Sequence, residues 1–91
     1  MASLVQRFFK AGPSTPASID EWTRTVTGAH AKFSHEEANE VLKRADGIKC
    51  ELFCRHNGNM VFAEGSAEMS GDAFVKALAR IEQTIGNWRS A

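Results

Sequence analysis

The sequence predicts an α+β fold: N-terminal helices, a β-hairpin at about 48–67 and a long C-terminal helix packed on one face of that hairpin. Three observations predict it. Two Ser-x-x-Glu capping patterns open apolar repeats of helical period in the first half of the chain. Residues 48–67 then alternate with period two about Asn57-Gly58. Finally, an apolar stripe runs four turns from Phe74 to Trp88. Ninety-one residues bury one core and cannot divide it. The chain reads as an N-terminal amphipathic arm (1–12), a linker (13–18) and one α+β domain (19–91).

In the arm, Leu4, Val5, Phe8 and Phe9 share one side of a short helix, with Gln6, Arg7 and Lys10 opposite. Gly12-Pro13 ends it, and GPSTPAS follows as the linker. Such an arm docks on its own domain, on a second copy or on a membrane surface; two cations are thin support for the last. Ser18-Ile-Asp-Glu21 is a capping box that starts a second helix near Ile19, with Ile19, Trp22, Val26 and Ala29 as its stripe. Thr23, Thr25 and Thr27 alternate as in a strand, so 22–27 stays open between helix and strand. Ser34-His-Glu-Glu37 repeats the box, and Ala38, Val41, Leu42 and Ala45 follow at helical spacing, with Glu40 and Arg44 paired. Asp46-Gly47 supplies the stop, so a third helix is expected over 34–46.

Asn-Gly suits a two-residue type I′ turn, because both positions need positive φ. That turn sets the register: Arg55 faces Met60, Cys54 faces Val61 and Phe53 faces Phe62. One face then carries Ile48, Cys50, Leu52, Cys54, Val61, Ala63 and Ala67. The other carries Phe53, Arg55, Met60 and Phe62, with Glu51 and Glu64 farther from the turn. Ser70 caps the last helix and Asp72 sits in its first turn. Phe74, Ala77, Leu78, Ile81, Ile85 and Trp88 form its stripe, the sheet's main partner.

Composition narrows the function. Lys plus Arg equals Asp plus Glu, eleven each, and neither half is strongly basic, which disfavours a broad phosphate-tracking surface. No apolar run approaches the roughly 20 residues that cross a bilayer, so no membrane span is expected. Gln6 and Arg7 interrupt any secretory apolar core, making the cytoplasm the expected compartment. Residues 1–17, with Arg7, Lys10 and no acid, also have the composition of a short organelle transit peptide.

CELFCRHNGNMVF, residues 50–62, gathers both cysteines and His56. On a strand, Cys50 and Cys54 lie roughly 13 Å apart. One zinc needs both sulfurs at about 2.3 Å, and a disulfide needs α-carbons within about 7 Å, so no metal and no bridge is expected. A Cys54–His56 nucleophile lacks a neighbouring orienting group. No Gly-rich phosphate loop is present. No catalytic residue and no cofactor is assigned, and enzyme is the least favoured class.

What remains is a hairpin apolar on both sides, of which the last helix covers one. Phe53, Arg55, Met60 and Phe62 are the candidate partner-binding residues, with Phe8 and Phe9 of the arm as candidate cover or contact. The expected function is a small non-enzymatic interaction protein: an adaptor, inhibitor or regulatory subunit, homodimeric, of the kind bacterial and phage accessory factors supply. Its partner would be another protein or a second copy. A nucleic-acid module stacking bases on Phe53 and Phe62, and a small-molecule-binding domain, are the alternatives.

Overall fold

A computed structural model of the chain describes residues 3–38, 40–41 and 47–86. The order is α1 (Leu4–Ala11), α2 (Pro16–Thr27), β1 (His30–His35), β2 (Ile48–His56), β3 (Asn59–Ala67) and α3 (Ser70–Ile85). The three strands form one antiparallel sheet with β2 in the centre. The class is α+β, as the sequence predicts, but the hairpin has gained a third strand.

Helix α1 starts where Ser3 and Gln6 cap each other reciprocally and stops at Gly12, whose φ of 74° suits glycine. Helix α2 begins earlier than Ser18-Glu21 implies. Its box is Thr15 with Ser18, and Pro16 occupies the first turn, where its fixed φ and missing N–H cost nothing. The linker thereby shrinks from 13–18 to 13–15. Residues 22–27 are helical, and the threonines fit because Thr23 and Thr27 turn their hydroxyls back onto the carbonyls of Ile19 and Thr23, at 2.7 and 2.6 Å.

The helix expected over 34–46 is corrected at its start. Ser34 and His35 end β1, Glu36–Ala38 adopt no regular structure, and Glu40 and Val41 lie in a turn. Val41, placed on the expected stripe, is 90% exposed. Leu42, Arg44, Ala45 and Asp46 fall outside the described residues. The physical reason is competition: a capping box contributes about 1 kcal/mol. Pairing His30–His35 with Ile48–Phe53 instead supplies a full ladder and turns Ala31 and Phe33 toward the core. Glu36 extends that ladder, its N–H donating to the Gly47 carbonyl.

The hairpin has the predicted register throughout, from Ile48 opposite Ala67 to His56 opposite Asn59. Its turn places Asn57 and Gly58 at φ 52° and 79°. Cys50, Leu52, Cys54 and Ala63 are buried on the inner face. Helix α3 lies on that face over β2 and β3, and α2 packs beside β1. Phe74, Leu78, Ile81, Ile19 and Leu52 form the fully enclosed centre. Ser70 is not the cap of α3: Met69 takes that position with no side-chain bond, and Ser70 is buried in the first turn. Trp88 lies outside the described residues.

The arm joins this core from the helical side. Leu4 and Phe8 are buried, and the Phe8 ring lies 4.7 Å from that of Phe74 and 5.4 Å from that of Trp22. It therefore does not cover the Phe53 face, which an arm built on Phe8 and Phe9 was expected to do.

Candidate interaction face

Because side chains alternate along a strand, one register assigns every residue of the sheet's second face. β1 contributes His30, Lys32 and Ser34. β2 contributes Lys49, Glu51, Phe53 and Arg55, and β3 contributes Met60, Phe62, Glu64 and Ser66. Both α2 and α3 pack on the opposite side, and among the described residues no helix lies over this face.

The face divides in two. Toward the Asn57-Gly58 turn it is apolar: the Phe53 and Phe62 rings sit 5.2 Å apart at 42°, a cross-strand aromatic pair worth about 0.5–1.5 kcal/mol beyond its buried area. Phe62 is 47% exposed and Met60 61% exposed, with exposed Arg55 opposite Met60. Away from the turn it is charged. Glu51 has Lys32 across one neighbouring strand and Glu64 across the other, and Lys49 Nζ lies 3.9 Å from Glu64 Oε2. Ser66 donates its hydroxyl to Glu36 at 3.1 Å. His30 stands beside Phe53 and is exposed.

Of the residues singled out in the sequence, Phe53, Arg55, Met60 and Phe62 are thus brought together. Phe8 and Phe9 are not among them: Phe8 is in the core, and Phe9, 61% exposed, rims a hollow between the ends of α1 and α3. That hollow is about 170 Å³ and is lined by Pro13, Met69 and Gly71 among others. Ligand pockets usually enclose roughly 300–1,000 Å³, so it is small for a metabolite. His30 and Lys32 were missed because β1 was missed. Their signal was the alternation HAKFSH, outweighed by the capping pattern that overlaps it.

The cysteines lie on the other side of the sheet. Both are buried thiols, and burial, reinforced by the charges of Glu51 and Asp20, pushes Cys50 up to about 12. Cys50 is therefore a poor nucleophile. Among the described residues no three His, Cys, Asp or Glu side chains converge so as to hold a metal ion, and no helix is long and apolar enough to cross a membrane. No family model, no curated protein and no solved structure matches the chain.

Proposed function

We propose that this chain is a small, non-enzymatic protein-binding module, an adaptor, inhibitor or regulatory subunit, whose working surface is the second face of its sheet. One observation carries the reading: an exposed Phe62–Met60 surface, backed by the Phe53 ring and edged by Arg55, on the side of the sheet away from the helices. Aromatics, Met and Arg are the residue types enriched at interface cores. Both sheet edges are less inviting. The Ala31 N–H donates to Asp20 at 2.9 Å, and Lys76 Nζ donates to the Ser66 carbonyl at 2.9 Å, so side chains occupy backbone groups of both edge strands.

Base stacking on the same two rings is the second reading, since Arg55 flanks them. Glu51 and Glu64 beside the rings oppose a phosphate backbone, which favours a protein partner. The test is a Met60→Ser/Phe62→Ser double variant. It should stay folded with a melting temperature lowered by about 5–10 °C, because Met60 is exposed and Phe62 half-exposed but the Phe53–Phe62 pair is lost. It should also lose a protein that the parent captures specifically. Unfolding would make the two residues core, and undiminished capture would place the working surface elsewhere. Binding to single-stranded RNA or DNA that weakens steeply with salt would favour the second reading.

A further inference from the structure

We infer that the occupant of this face is a second copy of the chain, docked face to face about a two-fold axis that crosses the strands at the Phe53–Phe62 pair. The inference rests on the reading of the face given above and names its partner.

The argument is one of charge complementarity. Because β2 is the central strand, a face-to-face homodimer centred on Phe53 has two two-folds in the plane between the sheets that keep the strands aligned. An axis parallel to the strands lays Arg55 on Arg55 and Glu51 on Glu51 of the second copy. Like charges stack at both places and at Lys49, against two opposite-charge contacts where β1 lies over β3 and sets Lys32 on Glu64, and Phe62 falls on His30 instead of on its copy, so this arrangement is the poorer one. An axis across the strands reverses their direction instead. Phe53 and Phe62 then meet their own copies at the centre, and Arg55, two residues toward the turn, lies over Glu51, two residues the other way. The symmetry makes that ion pair twice.

Packed sheets lie about 10 Å apart, a gap that two Phe rings fill and that an Arg and a Glu side chain span together. On β3 the same axis sets Met60 over Glu64, whose carboxylate already has Lys49 beside it within its own chain. His30 faces its copy at the axis. Along β2 the pattern, Phe53 at the centre with Arg55 on one side and Glu51 at equal spacing on the other, is self-complementary. A foreign protein would require no such symmetry.

Size sets the strength. About this axis β1, which starts at His30, runs away from its copy, so only β2 and β3 overlap theirs; with strands about 4.8 Å apart and rising about 3.4 Å per residue, the footprint is on the order of 250 Å². A standard interface takes about 800 Å² from each partner. The dimer is accordingly a weak one, formed only at high protein concentration.

Sedimentation velocity of the full chain from micromolar to millimolar concentration tests this. The parent should pass from monomer to dimer. Arg55→Glu and Glu51→Arg should each weaken association by about tenfold or more, because each turns two attractions into two repulsions. An equimolar mixture of the two variants should recover it, since every cross-interface pair is then again Arg with Glu. If either reversal unfolds the chain by circular dichroism, Arg55→Gln, which removes the attraction without adding a repulsion, should weaken the dimer by a smaller factor. A chain that stays monomeric to millimolar concentration, or a mixture that stays monomeric when the parent dimerises, overturns the inference. A monomer whose Phe62→Ser variant still loses a foreign partner overturns self-docking alone. A dimer undisturbed by Phe62→Ser overturns the reading of the face as well.

Discussion

Gly65 lies in the interior of β3, where a glycine ordinarily weakens a strand. Its reason is α3. A Cβ there would stand 2.6 Å from the Ala73 carbonyl oxygen and 2.7 Å from the Ala77 nitrogen, backbone atoms that move only if the helix moves. Gly65→Ala should therefore lower stability by about 1–3 kcal/mol in denaturant unfolding, although alanine is otherwise no worse in a strand. A neutral result would mean that α3 can lift from the sheet. Cys50 makes a second residue-scale prediction. Its thiol is raised from an ordinary 9.0 to about 12, chiefly by burial. The folded state therefore holds its proton more tightly than the unfolded chain. The stability linked to it is full below about 9 and is lost as pH rises toward 12. At pH 8 a thiol reagent should modify Cys50 only as fast as the chain unfolds, and peptide mapping separates it from Cys54. Rapid labelling of Cys50 in the native state would refute the closed inner face.

At the scale of elements, the joints between them explain which local signals prevailed. Asp20, in α2, accepts from the Ala31 N–H with one carboxylate oxygen and pairs with Arg24 at 3.3 Å through the other. Thr27 donates to the Thr23 carbonyl and accepts from the Ala29 N–H at 3.1 Å. The end of α2 thus delivers the chain directly into β1. That is why β1 forms where a capping pattern argued for a helix. Helix α1 is held differently: Glu82 of α3 accepts from the Leu4 backbone N–H. Burial raises Glu82 above its ordinary 4.5, and the Leu4 bond opposes that rise without cancelling it. A raised carboxyl contributes stability that is present below 4.5 and lost as pH climbs through the folded value. Glu82→Gln should then be at least as stable as the parent at pH 7, by thermal melting, with the difference closing below about pH 4.5. A variant markedly less stable at pH 7 would show that the charge on the acceptor, rather than its position, holds α1.

At the scale of the whole molecule, the three helices among the described residues share one side of a three-stranded sheet and leave the other side with its own composition. Antiparallel sheets tolerate this, since their second face can be solvated and polar. Here it is polar only away from the turn. Lys32, Lys49, Glu51 and Glu64 occupy that part, and Phe62 and Met60 stand open beside them. An exposed aliphatic or aromatic residue alone is ordinary; a paired set of them with Arg beside it is not. The proposed face and its self-docking both follow from that asymmetry.

Where local chemistry is sufficient, the sequence by itself determined the outcome. Asn57-Gly58 needs no distant partner to choose its turn, and the turn with period-two alternation determined the hairpin register and the face of every residue from Ile48 to Ala67. The stripe from Phe74 to Ile85 likewise determined α3 and the side it buries. The candidate site was legible to the same depth: Phe53, Arg55, Met60 and Phe62 share a face because parity places them there. Only the tertiary structure decided that the N-terminal arm does not cover that face. The side of the core that Phe8 enters depends on Phe74 and Trp22, residues distant in sequence. β1 depends on a ladder with β2 whose partners are 13 to 23 residues away, and its local sequence carries an equally good helix start. Short-range signals compete on nearly equal terms, differing by about 1 kcal/mol, and long-range pairing and burial settle between them.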